Sequence, residues 1–261
     1  MNETIKQIKS HRSIRKYKSK PIEDTLLSEI LQSGVRAATS GNMQFYSIVV
    51  SKDASLKEKL YQAHMKQKMI LEAPVLLTFC ADQHRVKSWM NSNNAEYSND
   101  NLICLFRAMV DVCLVAQNIV LAAESSGLGT CYLGTTLMGA DIISDILDLP
   151  QNVFPVTSVV LGWPDESPEL VGRLPLDAIV HKEKYRRYTE DIIHEIYSEK
   201  DIEAWERLKN RKELQADISS GKISNASQIY SSLKFSSAVL NDFSKTISKL
   251  LDETWNIKFS S

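Results

Sequence analysis

Residues 101–134 read NLICLFRAMVDVCLVAQNIVLAAESSGLGTCYLG. The first part, 101–126, is apolar on nearly every side of a helical projection, which is typical of a helix buried in a core or against another subunit. The Gly-Leu-Gly sequence at 127–129 predicts the end of that helix. The residues that follow, 130–134, predict a buried strand. The sequence therefore predicts a long buried helix that leads directly into an inner strand.

More strands and helices are predicted on both sides of this region. Short β-branched and aromatic runs predict strands at 45–51, 75–81 and 153–163. Apolar residues at helical spacing predict helices at 3–10, 24–38 and 140–150. Strands and helices alternate through about residue 165, which indicates one sheet layered by helices.

The composition changes after about Lys182. The segment 182–214 is strongly charged and has few apolar residues, whereas later segments return to helical spacing. We therefore predict a core domain over residues 1–185. We predict a helical C-terminal extension over residues 186–261, packed on the core or on a partner subunit.

Composition and charge argue against several classes of function. The chain has 31 Lys and Arg against 32 Asp and Glu, a balance that argues against broad nucleic-acid binding. The N-terminal MNETIKQIKS has no apolar run, and no uninterrupted apolar stretch approaches the roughly 20 residues of a membrane span. We interpret the cysteines as buried free thiols without metal-ligand spacing, and they are Cys80, Cys104, Cys113 and Cys131. We expect a cytoplasmic protein without nucleic-acid or membrane partners.

The stretch HRSIRKYKSKPI at 11–22 concentrates positive charge in this balanced chain. Its three lysines alternate with Tyr17 and Ser19, a pattern typical of a solvated edge strand. Arg12, Ser13 and Arg15 differ, because two forked guanidinium groups and a hydroxyl suit a phosphate. A surface salt bridge would explain these arginines equally well.

Three other segments offer polar or open backbone sites. The loop 40–44 (SGNMQ) carries amides able to bind a flat heterocycle, although an ordinary turn has the same composition. Gly134 follows a buried strand, where a backbone can approach a ring closely. Arg173 lies in a Pro- and Gly-rich loop as a second candidate cation for the anion. The common phosphate-loop, zinc-protease and serine-hydrolase motifs are absent, and we predict no metal site.

Four ordered segments together resemble the nitroreductase family of FMN-dependent flavoproteins. They are HRSIRKY, EILQSGVRAATSGNMQFYSIVV, AQNIVLAAESSGLGTCYLG and VVLGWPDESPELVGRLPLDAIVHKEKY. The last two, with the long helical tail, look most like the branch of flavin reductase P and the oxygen-insensitive major nitroreductases. The resemblance implies an α+β nitroreductase-like fold, with a central, mainly antiparallel sheet flanked by helices and a C-terminal helical extension.

The resemblance also implies an FMN site shared between the subunits of a homodimer. In the family, the first basic segment holds the phosphate and the pyrimidine side, a small loop arrives from the other subunit, and a later strand end lines the ring near N5. The implied FMN contacts here are His11, Arg12, Ser13, Arg15, Thr39, Ser40, Gly41, Gln67, Tyr132, Leu133, Gly134, Thr135 and Arg173. Val171 stands where relatives carry a lysine, so one cation of the phosphate grip is missing and Lys16 is a candidate to replace it.

The implied activity is that of an FMN-dependent NAD(P)H oxidoreductase reducing nitroaromatics, quinones or free flavin by ping-pong two-electron transfer. No side chain is expected to act as a catalytic acid, because water can supply protons. Lys200, Arg207 and Arg211 are candidates for binding the 2′-phosphate of NADPH, and the choice between NADPH and NADH stays open. The alternatives are reductive dehalogenation, flavin fragmentation, or flavin binding without turnover.

Overall fold

The computed structural model describes residues 2–98, 100–233 and 236–259. They form two compact units. The first comprises the described residues up to Leu170 and from Phe243 onward, and the second is Val171–Asp242. The boundary predicted from the sequence, between 185 and 186, falls within the second unit. The division into a core domain and an extension at that boundary stays a prediction.

The first unit is built on a four-stranded antiparallel sheet with strand order β1-β2-β4-β3. The strands are β1 Tyr46–Ser51, β2 Val75–Asp82, β3 Gly129–Leu133 and β4 Val153–Gly162. Every residue of β2 is buried, as expected for a central strand covered on both faces. All four strands lie where the sequence predicts them. The antiparallel order confirms the α+β class implied by the family resemblance.

Pro155 interrupts the pairing of the two central strands. Phe79 pairs with Thr157, whereas the next residue, Cys80, pairs with Pro155. Proline has no N–H to donate to the ladder, and a bulge is one of the few places where a sheet accepts it. The bulge therefore allows a proline to lie in an inner strand.

Eight helices surround the sheet in the described part of the first unit before Leu170. They are α1 Glu3–Lys9, α2 Asp24–Gly34, α3 Ala54–Ala63, α4 Met69–Glu72, α5 His84–Ser92, α6 Leu102–Ser125, α7 Thr135–Met138 and α8 Ala140–Ile146. Four of these, α1, α2, α6 and α8, correspond to predicted helices. The sequence analysis did not identify the other four, of which α3 and α5 have 10 and 9 residues and α4 and α7 have 4 each.

The long helix α6 packs against the sheet and α2 with one face. Its buried residues include Val112, Val115 and Ile119. Gly34 of α2 makes this packing possible, because a Cβ at that position would lie 2.0 Å from Cγ1 of Ile119. The two helices are therefore in direct backbone-to-side-chain contact.

The opposite face of α6 is apolar and exposed. Its solvent-facing residues include Ile103, Phe106, Val110 and Leu114, with Phe106 56% exposed. Cys113 lies among the exposed residues too, so the prediction that all four thiols are buried is wrong for this one. By length and composition α6 could cross a membrane, but the core helix of a soluble protein passes the same test. Half of its apolar 18-residue window is buried inside this structure. The expectation that no segment reaches that length overlooked the helix as a whole, because Arg107 and Asp111 interrupt its apolar run.

The second unit has a small apolar cluster of its own. Its helices are α9 Glu190–Leu208, α10 Gln215–Ser219 and α11 Ala226–Leu233. The buried members of the cluster are Leu208, Leu214, Ile223 and Ile229. The charged composition of this part of the chain is therefore compatible with a packed structure.

The last helix, α12, spans Ser237–Trp255. Leu250, Leu251 and Trp255 from its C-terminal part are buried in the main core of the first unit. The carbonyl of Thr254 accepts the backbone N–H of Asn152 at 2.9 Å. The C-terminal part of α12 thus completes the core that the N-terminal part of the chain begins.

Candidate functional site

The basic segment after α1 lies beside the strand β3. The backbone N–H of Ile14 donates to the Thr130 carbonyl at 2.8 Å, within a parallel bridge between Ser13 and Thr130. Ile14 and Tyr17 are buried, whereas Arg12 and Arg15 are exposed. Two apolar anchors and a backbone bridge therefore fix the backbone, while the guanidinium groups face solvent.

Gly129 allows this segment to approach β3. A Cβ at Gly129 would lie 2.7 Å from Cγ1 of Ile14, closer than real side chains come. The glycine that the sequence analysis assigned only to the end of α6 is therefore required for docking the basic segment.

His11 is held by a carboxylate at the end of α6. Its Nδ1 lies 2.7 Å from Oε1 of Glu124, which also accepts the hydroxyl of Thr130 at 2.7 Å. Glu124 is nearly buried, so its position is well defined. The His11 ring is thus oriented by two residues that the sequence analysis did not select.

A second carboxylate binds the backbone of the basic segment. Oε1 of Glu166 accepts the N–H groups of Arg15 at 2.5 Å and of Lys16 at 3.2 Å. Consecutive backbone N–H groups form a small anion site. Glu166 and Arg12 also line the same cleft of about 250 Å³. The carboxylate of Glu166 therefore occupies the anion site formed by these two N–H groups and offsets part of the positive charge of the segment.

The end of β3 leaves open space over its backbone. A Cβ at Gly134 would meet nothing within 4 Å. Leu133 is buried, whereas Tyr132 is exposed and its hydroxyl lies 3.4 Å from Oε1 of Gln117. The backbone at this strand end is therefore open to solvent on the side where a side chain of residue 134 would stand.

Gln67 and Thr135 meet beside this opening, with a buried histidine behind them. Gln67 Nε2 donates to Thr135 Oγ1 at 2.7 Å, and His64 Nδ1 lies 2.9 Å from the same oxygen. Burial lowers the pKa of His64 to about 4, so the ring is neutral at pH 7. Since Thr135 accepts from Gln67, its own proton can go to His64 Nδ1. The carboxamide of Gln67 is therefore oriented by a chain of hydrogen bonds.

The predicted loop residues Thr39, Ser40 and Gly41 follow α2 in the chain. Ser40 begins a short 3₁₀ turn, and Gly41 has the left-handed backbone conformation with φ of 58°. The backbone N–H of Ser40 donates to the buried carboxylate of Asp111. The carbonyls of Thr39 and Ser40 accept the N–H groups of Asn42 and Met43, and the Thr39 hydroxyl accepts Nε2 of Gln44. None of the described hydrogen bonds of these residues joins them to the basic segment or to Gln67.

Arg173 belongs to the second unit. Its guanidinium donates to the carbonyls of Val171 at 2.9 Å and Gly172 at 3.3 Å. Arg173, Lys200 and Arg207 line one cleft of about 370 Å³, together with two glutamates. Arg211 instead pairs with Glu213 at 3.5 Å. Two of the three candidate cations for a nucleotide phosphate are thus gathered in one cleft.

The site residues missed by the sequence analysis share one property. Glu124, Glu166, Asp111 and His64 all act on partners far away in the chain. Single-sequence patterns carry no signal for such pairings. Among residues 2–98, 100–233 and 236–259, no group of three or more His, Cys, Asp or Glu side chains is arranged to hold a metal ion.

Comparisons with known proteins identify the family. A sequence model of the Nitroreductase family matches residues 8–163. The NADPH-flavin oxidoreductase of Vibrio harveyi is 36% identical over 193 residues, covering 74% of this chain and 79% of that protein. The FMN reductase [NAD(P)H] of Bacillus subtilis is 33% identical over 82% of this chain and 87% of its own length. A crystal structure from Bacteroides fragilis superposes with a TM-score of 0.87 at 38% identity, over 97% of this chain and 100% of that one. The chain belongs to the nitroreductase family.

Proposed function

We propose that this chain is an FMN-dependent NAD(P)H oxidoreductase that reduces flavins, nitroaromatics or quinones by alternating half-reactions. The observation that carries the proposal is the open backbone at Gly134, flanked by the oriented amide of Gln67 and the anchored basic segment. Similar proteins are named as an NADPH-flavin oxidoreductase and an FMN reductase. Bound FMN would supply the chemistry, taking a hydride from the nicotinamide and passing two electrons to the second substrate.

The basic segment is proposed to hold the phosphate. Arg12 and Arg15 are exposed and permanently charged, and their backbone is fixed. Because Glu166 already occupies the N–H groups of Arg15 and Lys16, the phosphate is expected to meet guanidinium side chains and the Ser13 hydroxyl. Arg173 is proposed as a further cation. Val171 leaves the grip one charge short of the family pattern, and Lys16 is proposed to compensate.

The ring is proposed to lie over the end of β3. Gly134 offers no side chain to obstruct it, and Leu133 and Thr135 continue the same surface. Gln67 keeps its carbonyl and one amide hydrogen for the ring, since the other hydrogen goes to Thr135. Both a donor and an acceptor are thus available, as the mixed donor and acceptor edge of a flavin requires. His11, held by Glu124, is proposed to lie at the pyrimidine side.

The exposed face of α6 supports the proposed homodimer. Ile103, Phe106, Val110 and Leu114 make an apolar stripe along this helix, and such stripes mark interfaces. In that dimer, Thr39, Ser40 and Gly41 are proposed to reach the flavin of the partner subunit. Sedimentation of the protein should give a dimer, and a monomer at all concentrations would rule out the shared site.

The extension 186–261 and the cellular location are proposed on other grounds. The extension is proposed to pack on the core or on the partner subunit. The cleft of Lys200 and Arg207 is proposed to receive the phosphate of a pyridine nucleotide, since clustered cations suit that anion. The four free cysteines fit a reducing, cytoplasmic compartment.

The visible absorption spectrum of purified protein tests the function directly. We expect a flavin band that bleaches with NADPH under anaerobic conditions and returns with menadione. If the band bleaches with NADPH but does not return when a nitroaromatic, a quinone or free flavin is added, one of the other flavin chemistries would be favoured. Protein that neither contains nor takes up FMN would overturn the proposal.

A further inference from the structure

Asp111 is a carboxylate buried in the middle of α6, only 1% exposed. Its Oδ1 accepts the backbone N–H of Ser40 at 2.9 Å, and its Oδ2 accepts that of Phe45 at 3.2 Å. Burying an ionised carboxylate is unfavourable unless its oxygens are hydrogen-bonded, and bonds from backbone N–H groups to a carboxylate are strong. One side chain therefore fixes both ends of the segment 40–45, which we call loop 40–45.

Loop 40–45 has a backbone that needs such support. Gly41, Asn42 and Gln44 have positive φ values of 58°, 55° and 49°. Only the first is a glycine, and a non-glycine residue in this region is strained unless its surroundings impose the conformation. The loop would therefore be expected to relax if its anchors were removed.

A second anchor acts on the same loop from α5. The guanidinium of Arg85 donates to the carbonyl of Gln44 and, at 3.0 Å, to that of Tyr46. The side chain of Gln44 closes the loop internally, donating to the carbonyl of Asn42 at 2.6 Å. Asp111 binds N–H groups and Arg85 binds carbonyls, so the two anchors fix complementary groups of one short segment.

The helix that carries Asp111 also carries the exposed apolar stripe. Val110 and Leu114 of that stripe flank Asp111 on α6 and point to solvent, whereas Asp111 points to loop 40–45. A long helix is a stiff element. A carboxylate on it therefore holds the loop at a fixed position relative to the stripe.

We propose that Asp111 is a positioning residue that sets Thr39, Ser40 and Gly41 for contact with the flavin bound by the partner subunit. The inference rests on the proposed function, which supplies the flavin and the dimer. It adds that Asp111 links the exposed apolar stripe of α6 to the loop residues proposed to contact the flavin. Asp111 itself does not touch the flavin in this proposal.

The first experiment compares Asp111→Asn with Val112→Ala. Asparagine keeps the size of the side chain but turns an NH₂ group toward one of the two N–H donors. Val112 is the neighbouring buried residue and makes core contacts only, so its truncation lowers stability without removing a loop hydrogen bond. We expect FMN to bind Asp111→Asn at least tenfold more weakly than wild type, with altered visible circular dichroism of the bound flavin. We expect wild-type values for Val112→Ala.

The second experiment tests action across the interface. A chain with Asp111→Asn is co-expressed with a chain carrying Arg12→Ala and Arg15→Ala, and the heterodimer is isolated by two tags. One of its two sites then combines intact arginines with an intact loop from the other chain. We expect that heterodimer to bind one FMN with near wild-type affinity, although each parent homodimer binds weakly. A residue needed only for folding of its own subunit would not give this rescue.

The outcomes separate this inference from the proposed function. Wild-type protein that neither contains nor takes up FMN would overturn the proposed function. A wild-type protein that binds FMN as a monomer at all concentrations would overturn this inference and leave the proposed activity standing. A wild-type dimer that binds FMN, with Asp111→Asn binding it equally well or the heterodimer showing no rescue, would overturn only the role of Asp111. Should Asp111→Asn fail to fold, Asp111→Ser, which keeps one acceptor without opposing an N–H, replaces it in both experiments with the same expectations.

Discussion

Arg15 and Arg173 are both predicted to hold one phosphate, yet the chain supports them differently. Arg15 follows the buried Ile14, in a segment bridged to Thr130, and its own N–H is bound by Glu166. Arg173 follows an exposed stretch, and its guanidinium bonds carbonyls one and two residues away. Distant parts of the fold fix the backbone of Arg15, whose guanidinium makes one long bond of 3.4 Å to the Ser13 carbonyl. The side chain of Arg173 is held by its own loop, with a bond as short as 2.9 Å.

This difference shows that residue type alone does not determine how strongly an arginine contributes to anion binding. An arginine on a fixed backbone loses less conformational freedom when it binds an anion, and this preorganisation favours affinity. Arg173 would exchange two bonds to its own loop for bonds to the anion, whereas Arg15 would exchange only the long bond to Ser13. We therefore expect the two regions to contribute unequally to phosphate binding.

Removing the anchored cations should have the largest effect. The change is Arg12→Ala with Arg15→Ala, and a hydrogen bond to a charged group contributes about 1.5–3 kcal/mol. We expect FMN affinity to fall by about 100-fold or more in a flavin fluorescence titration. Lys18→Ala is the control on the same segment, since Lys18 is exposed. An unchanged affinity in the double variant would place the phosphate elsewhere.

Acid should destabilise the protein through His64, the buried histidine that lies behind Gln67 and Thr135. His64 has a pKa of about 4, below its ordinary 6.5, because burial disfavours the charged form. The unfolded chain therefore binds more protons between pH 6.5 and 4, and the free energy of unfolding falls as the pH drops through that window, by up to about 3 kcal/mol. Urea unfolding at pH 7 and pH 5 measures it. His64→Gln, which can still bond Thr135, should lose this part of the pH dependence, and equal slopes would contradict the assignment.

Disturbing the packing of Ile14 against β3, which fixes the basic segment, should have an intermediate effect. In Gly129→Ala the new methyl group would meet Ile14, and overpacking of this kind costs about 1–3 kcal/mol. We expect lower stability in chemical denaturation. Gly134→Ala is the matched variant, because its methyl group enters open space; it should keep wild-type stability and weaken FMN binding only. Wild-type stability in Gly129→Ala would mean that Ile14 is free to move and the segment is not rigid.

Arg173→Ala should have the smallest effect on the cofactor. An exposed charge contact contributes about 0.2–1 kcal/mol, so FMN affinity should fall only about two- to fivefold, less at high salt. The same titration at two salt concentrations measures it. A loss as large as that of the double arginine variant would reverse the comparison between the two regions.

Much of the fold is predictable from local pattern. All four strands and the helices α1, α2, α6 and α8 follow from periodicity and from glycine and proline positions. The helices α4 and α7 were missed because each is a single turn of 4 residues. The helices α3 and α5, of 10 and 9 residues, were missed because polar residues make up half or more of each. For α3 a local signal exists, since Asp53 caps it by accepting the N–H of Leu56 at 2.8 Å.

The candidate site is predictable only in part. Residue types in HRSIRKY and the glycine after β3 suggest phosphate and ring contacts, and the family resemblance supplies their assignment. Glu166 and Asp111 could not be found this way, because each gains its role from backbone N–H groups that lie 66 or more residues away in sequence. Cys113 was placed wrongly, because apolar neighbours on a helix do not say which of its faces is covered.

The return of α12 to the first unit has a consequence for biosynthesis. Trp255 completes a core whose sheet is finished by Gly162, so translation must pass through the whole second unit before that core can close. At about 5–20 residues per second, this leaves several seconds in which the sheet exists without its last large side chain. The nascent chain is thus expected to depend on chaperones during this interval. Chains truncated before Leu250 should aggregate after release from the ribosome rather than accumulate as a smaller enzyme.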